Sequence, residues 1–206
     1  MTTSTDLFDG MIEDIYTLTA RPDLDGETLL ALRTATNSAH LSDAYPRDLQ
    51  TMSIQLPIPG YLTQLDIPTL FPRLRGLGSV RVLDESYTPP QVLQEQQVKV
   101  IELGDIYDDY GALRSNVAYI AGDKINIRSS ILSYGYLVEG FIAPHVRRTE
   151  YNSWIAQLFP DVILYWAAAI VLGTNGNEEK SNKYMGMVEK QLLPAMRANF
   201  LLGETR

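Results

Sequence analysis

Side chains able to do proton, metal or nucleophile chemistry are sparse in this chain of 206 residues. Cysteine is absent, which removes disulfides, thiolate metal sites and thiol catalysis together. The two histidines, His40 and His145, lie in different regions. A zinc site needs three or four ligands at fixed geometry. Asp43 near His40 and Glu139 near His145 match no ligand spacing, so both imidazoles read as surface or helix-cap groups. Asp105, Asp108 and Asp109 form an acidic cluster. A calcium loop would need alternating oxygen ligands, a central glycine and a terminal glutamate; that register is missing, and a solvated acidic turn is expected. Gly76-Leu-Gly78 and Gly173-Thr-Asn-Gly176 lack the ending of a phosphate loop, and no Gly-x-Ser-x-Gly elbow occurs. The expectation is a protein with no catalytic residue, no cofactor and no metal. A small metal-dependent hydrolase with its site around Asp105–Asp109 and Arg114 is the enzymatic alternative, and it requires the acidic cluster to bind a metal.

The charge balance narrows the partners. A formal net charge of −8 and a pI near 4.7 argue against gripping nucleic acid through its phosphates, although a negative wall lets a polyanion slide past. Arg73, Arg75 and Arg81 are spaced as strand ends or salt-bridge partners rather than as a nucleic-acid reader. Tyrosine is the unusual count, at 12. Tyr107, Tyr110, Tyr119, Tyr134 and Tyr136 crowd the middle of the chain. Tyrosine favours interfaces and strands alike, and an interface built from those strands accommodates both preferences.

Helices and strands must carry these groups. Residues 6–20 have Leu7, Met11, Ile15 and Leu18 at helical spacing, and Arg21-Pro22 ends that helix. A second helix starts at Asp25 as N-cap, carries Leu29, Leu32, Ala35 and Ala39 inward, and stops at Tyr45-Pro46. Between 48 and 144 short apolar runs alternate with turn residues: Met52–Leu56, Val80–Leu83, Val98–Leu103, Val117–Ile120, Ile125–Ile127 and Tyr136–Val138. Gly122-Asp-Lys124 reads as a hairpin turn. The end returns to helix: Trp154–Phe159, then Pro160–Leu172 capped by Gly173, then a helix from Asn177 to about Leu201 kinked at Pro194. The stretch 151–173 is charge-poor, but polar residues fill its first half, so a buried core helix is expected rather than a membrane span. The N-terminus has no signal-peptide pattern. The predicted class is α+β: a helical bundle from 1–47 and 145–206, made of an N-terminal hairpin and two C-terminal helices, with a mainly antiparallel β region inserted at 48–144.

The order of these segments resembles a known family. Arg21-Pro-Asp-Leu-Asp-Gly-Glu-Thr-Leu-Leu-Ala-Leu-Arg-Thr-Ala-Thr36, Ser38-Ala-His40 and Tyr45-Pro-Arg-Asp-Leu49 come first. Pro72-Arg-Leu-Arg75, Asp105-Ile-Tyr-Asp-Asp-Tyr-Gly111 and Ala121-Gly-Asp-Lys-Ile-Asn-Ile-Arg128 follow, and Trp154-Ile-Ala, Phe159-Pro160 and Ala167-Ala-Ala-Ile-Val171 close the series. Together they resemble the head-to-tail adaptor (connector, head-completion or neck) proteins of tailed bacteriophages over nearly the whole chain. The resemblance implies a virion structural protein made in the host cytoplasm, forming a homo-oligomeric, dodecameric ring between capsid and tail. It implies docking to the portal protein above and to tail nozzle or tube proteins below. Double-stranded DNA would pass through the channel without sequence-specific binding, and no membrane would be involved. It also implies a portal-contacting segment at about 192–206, where Leu193, Met196, Arg197, Phe200, Leu201 and Leu202 form the expected portal or subunit interface, while a core helix within the subunit would equally explain Leu193, Met196 and Phe200 at helical spacing. The β region would face the tail, with Tyr107, Tyr110, Tyr134 and Tyr136 as the tail-side or intersubunit interface. Another ring component of the neck or tail, a tail terminator or a tail-tube protein, is the alternative within assembly proteins.

Overall fold

The computed structural model describes residues 4–84 and 91–203, with side chains described for 4–83 and 98–199. The chain is α+β. In order, α1 (Ser4–Thr19) and α2 (Asp25–Leu41) lead into β1 (Leu49–Asp66), the single turn α3 (Ile67–Leu70), β2 (Leu74–Asp84), β3 (Gln91–Val100), β4 (Val117–Ala121) and β5 (Lys124–Ile142). Then come α4 (Trp154–Leu158), α5 (Pro160–Thr174), α6 (Glu178–Met187), a π-helical turn (Val188–Leu192) and α7 (Leu193–Gly203). The chain divides into two compact units, Met1–Ala44 with Pro144–Arg206, and Tyr45–Ala143.

In the helical unit α1 buries Phe8, Met11, Ile12, Ile15 and Thr19, one face at a spacing of three and four. The chain leaves α1 through Ala20, which adopts a left-handed conformation with φ of 56°, ahead of Pro22. Helix α2 buries Ala31, Leu32, Ala35, Thr36, Ala39 and His40; its small residues let the backbone come close to a neighbour. Helix α5 packs against α1, α2, α4 and α6. Its consecutive residues Val162, Ile163 and Leu164 are all buried, as are Ala167, Ala168 and Ala169, so more than one face is covered. Among the described residues, no helix is long and apolar enough to cross a membrane.

The second unit is a five-stranded sheet, antiparallel except for the short β3–β4 pairing at Lys99↔Val117 and Val100↔Ala118. Within the order β1-β5-β2-β3-β4, strands β5, β2, β3 and β4 close on themselves because β4 also pairs with β5, and β1 flanks that circuit on β5. Strand β5 makes this possible by its length. Lys124–Arg128 pairs with β4, and Gly135–Ile142 pairs with β2, while β1 runs along its other edge. The closed sheet surrounds Phe71, Val80, Val82, Val98, Ile125, Ile127, Tyr136 and Val138. One charged pair is sealed in the same unit: Arg75 donates to Asp48 at 2.7 Å, with the guanidinium 5.6 Å over the Phe141 ring.

Several expectations need correction. Ile125–Ile127 and Tyr136–Val138, read as separate strands, belong to one strand of 19 residues. Asp25 is the first residue of α2 rather than its cap, because its carboxylate accepts the Tyr16 hydroxyl instead of a backbone N–H of α2. Helix α5 does not stop at Gly173 but runs through it to Thr174, and Gly176, with φ of 79°, takes the left-handed position. Gly173 instead lets α6 approach, since a Cβ there would sit 3.0 Å from the Ser181 Oγ. The last helix is three segments. Pro194 has no N–H to offer Lys190, and the wider π turn Val188–Leu192 covers the residues whose carbonyls the proline leaves without a donor. Asn177 does cap α6, accepting from the Lys180 N–H.

Candidate functional site

The loop joining β3 to β4 is held by its own polar groups. Leu103–Ile106 makes a 3₁₀ turn, and Tyr107 bridges to Leu113 across a short antiparallel contact. Asp108 Oδ1 accepts the N–H of Tyr110 at 2.9 Å and of Ala112 at 2.8 Å, the side-chain turn that aspartate forms readily. Gly111 supplies the positive φ of 77° that closes it. The Arg114 Nε donates to the Tyr107 carbonyl at 3.1 Å. One carboxylate oxygen of Asp108 is therefore engaged by backbone, and among the described residues no three His, Cys, Asp or Glu side chains converge as a metal site would require.

A loop fixed this way would be expected to turn its apolar side chains inward. It does not. Tyr110 is 95 % exposed and Tyr107 is 58 % exposed, with Leu103 and Leu113 also open to solvent. A pinned loop pays its ordering entropy in advance, and rigid tyrosines offer large contact area at low entropic cost. A second exposed group lies where the β1–β5 ladder slips between Gln55↔Gly135 and Leu62↔Arg128. Ile58, Tyr61 and Leu62 are exposed on β1, and Leu132 and Tyr134 on β5.

Three of the four expected interface tyrosines are thus at the surface. Tyr136 is not, being fully buried in the sheet core. The reason is a change of inward parity along β5. Ile125, Ile127, Ser129 and Ser133 are buried on odd positions, whereas Tyr136, Val138 and Gly140 are buried on even ones. The switch falls at Gly135, where a Cβ would sit 2.7 Å from the Ile54 carbonyl oxygen. Tyr134 and Tyr136, two residues apart, therefore fall on opposite faces.

The expected portal segment is corrected in the same way. Leu193 and Met196 are buried in the helical unit; Met196, 1 % exposed, is core rather than docking surface. Arg197 donates to the Ser42 carbonyl at 2.6 Å and lies 3.4 Å from Asp43, which ties α7 to the end of α2. The side chains of Phe200, Leu201 and Leu202 lie outside the described residues. Of the arginines expected as strand ends or ion-pair partners, Arg75 bonds Asp48 and Arg73 bonds the Ala143 carbonyl.

His40 was expected at a surface or cap and is buried, 1 % exposed. Its Nε2 is 2.9 Å from Ser153 Oγ. A serine at hydrogen-bond distance from an imidazole is the geometry of a nucleophile with its base. Here Ser153 is closed to solvent and its Oγ accepts the Ala156 N–H as the cap of α4, so the pair holds a helix start. Tyr151, buried beside it, bonds Thr36 Oγ1 at 2.9 Å and packs edge-on to Phe8 at 5.5 Å. The sequence signal for this cluster was available: Thr36 and His40 continue the inward stripe of α2 four residues apart.

Burial pushes the Tyr151 hydroxyl up to about 12, against the opposing pull of its bonds to Thr36 and Ser153. A folded-state value above the unfolded value of 10.0 makes its contribution complete below pH 10 and lost as pH rises through about 12. The loss expected across that window is about 2–3 kcal/mol. Urea unfolding of the wild type and of Tyr151→Phe over this range measures it: the wild type should lose stability more steeply, and equal slopes would contradict the assignment.

The helical unit also carries a shallow groove of about 490 Å³ lined by α1, α2 and Arg148. Arg148 pairs with Asp9 at 2.7 Å on its rim. Tyr16 donates to Asp25 at 2.6 Å, which raises the tyrosine pKa to about 12. No family model matches this chain, and a search among curated proteins finds no significant match.

Proposed function

We propose that this chain is a non-catalytic structural subunit of a tailed-phage neck, a head-to-tail adaptor that forms a ring under the portal, extends the DNA channel and docks the tail. In this reading the helices form a bundle and the closed β unit is the tail-facing part. The observation that carries it is the pinned loop 103–114, which presents Tyr107 and Tyr110 to solvent on a rigid scaffold. Such a surface suits a protein partner better than a small substrate. The order of sequence segments resembling the adaptors supports the same reading. So does the net charge of −8, which lets double-stranded DNA pass without adhering. The partners are then portal and tail proteins and further copies of the chain, assembled in the host cytoplasm and retained in the virion.

The test removes the two tyrosines. Tyr107→Ser with Tyr110→Ser should change stability by no more than about 0.5 kcal/mol per site, since both are exposed. Binding to the tail protein of the same phage should weaken by about 30-fold or more, the loss of at least one interface anchor. Calorimetric titration measures it, and unchanged affinity would remove this loop as the docking surface.

A further inference from the structure

Among the described residues, strand β1 is paired along one edge only. Its ladder to β5 runs without a slip from Leu49↔Phe141 to Gln55↔Gly135, and among the described residues no strand pairs with its other edge. Such an edge presents a row of unpaired N–H and C=O groups. Proteins that avoid edge-to-edge association blunt it with lysine, proline, a bulge or a covering element. Between Leu49 and Leu65 there is no charged residue, and Pro57 and Pro59 fall beyond the regular ladder. Met52, Ile54 and Leu56 pack on the sheet core yet remain half-buried. A strand laid along the open edge would complete their burial, while Thr51, Ser53 and Gln55 stay exposed on the opposite face.

The same unit has a second open edge of a different kind. Strand β3 pairs with β2 on one side and with β4 only at Lys99 and Val100. From Gln91 to Val98 its other edge has no partner among the described residues, and Glu95 is the one charged residue in that stretch. No like charges face each other when the two edges meet. Two unlike edges on one unit make a heterologous joint, which repeats from copy to copy and closes into a ring when the rotation allows. We propose that the open Leu49–Gln55 edge of β1 takes the open β3 edge of a second copy of this chain, continuing the sheet between subunits. The inference deepens the ring reading and rests on it for closure, whereas the pairing of edges stands or falls separately.

The absence of cysteine gives a clean test on the full-length chain, with and without portal protein. Ser53→Cys, Gln94→Cys and Gln96→Cys are made singly, and Ser53→Cys is combined with each of the other two to span one register step. Paired strands bring Cα atoms within the about 4.4–6.8 Å that a disulfide spans. On oxidation one double variant should give a covalent ladder of dimers, trimers and higher multimers, each single variant should stay monomeric, and adding Thr51→Lys should abolish the ladder. Dimers from Ser53→Cys alone would show β1 paired with β1 and overturn the heterologous joint. No ladder from either double variant would overturn the edge pairing itself. Rings on the portal without a ladder would sink this inference alone, and a ladder without rings would sink the adaptor reading alone.

Discussion

Replacing Arg75 with methionine should cost the β unit about 3–5 kcal/mol, the loss typical of removing one partner from a buried ion pair. The basis is geometric. Asp48 is 4 % exposed at its side chain and Arg75 12 %, at 2.7 Å, so little water can replace the missing guanidinium around the carboxylate. The change also removes the cation from above Phe141, which adds a fraction of a kcal/mol to about 2 kcal/mol where desolvated. A methionine fills much of the vacated volume, so the penalty is electrostatic rather than a cavity. The double variant Asp48→Leu with Arg75→Met should therefore recover most of the loss, because the carboxylate is removed together with its guanidinium. Urea unfolding followed by the circular dichroism of the sheet reads this change. Both tryptophans, Trp154 and Trp166, lie in the helical unit, so their fluorescence reports the other unit. A single variant within 1 kcal/mol of the wild type would mean that the pair is solvated despite its burial.

Ile163→Ala should destabilise the helical unit by about 2–5 kcal/mol. Ile163 is fully buried on α5, and α5 packs against α1, α2, α4 and α6. Deleting its branched chain removes contacts toward a neighbour that is itself held by other packing, so collapse into the void is limited and the upper part of the range is expected. The tryptophan fluorescence transition should move while the sheet signal keeps its own midpoint. A shift under 1 kcal/mol would show that α5 relaxes to fill the gap.

The two variants act on parts of the fold that differed in how far sequence revealed them. Helices α1 and α2 were visible because 3.6-residue periodicity is local and survives in the chain as written: Met11 and Ile15, or Leu32, Ala35 and Ala39. The proline at the start of α5 was equally legible, since its fixed φ and missing N–H suit that position. The sheet was recognisable as mainly antiparallel from short apolar runs and from the Gly122 turn, whose φ of 62° only glycine adopts cheaply. Its closure was not legible. It depends on Val117–Ala121 pairing with the start of β5 and on two residues of parallel pairing with β3, and neither leaves a mark in local periodicity. The length of β5 was hidden by Ser129–Ser133, where the alternation lapses and pairing with β1 slips. That lapse and the Gly135 parity switch placed Tyr136 in the core.

Among the expected surface groups, Tyr107, Tyr110 and Tyr134 could be named but not distinguished from Tyr136, because tyrosine serves strand cores and interfaces with the same side chain. Leu193 and Met196 were assigned outward because the C-terminal segment is richly apolar. The structure buries both, and the apolar excess that suggested an interface is partly the core of the helical unit. The Asp108-pinned loop was missed as a scaffold: three aspartates suggested a solvated turn, whereas one of them organises the backbone that displays Tyr110. The arginines read as strand ends or ion-pair partners were accessible to sequence, and Arg75 became the most consequential of them once its partner was seen to be buried.

The central claim, that this chain is a ring-forming adaptor between portal and tail, is tested most directly by electron microscopy of the full-length protein mixed with its portal protein. The account predicts a closed ring of this chain seated on one end of the portal, coaxial with its channel and about twelve-fold, the symmetry that the resemblance to adaptors implies, with contacts between copies that are heterologous rather than two-fold. Portal particles left bare at saturating concentrations of the chain, or a chain bound as isolated copies or two-fold dimers, would contradict it.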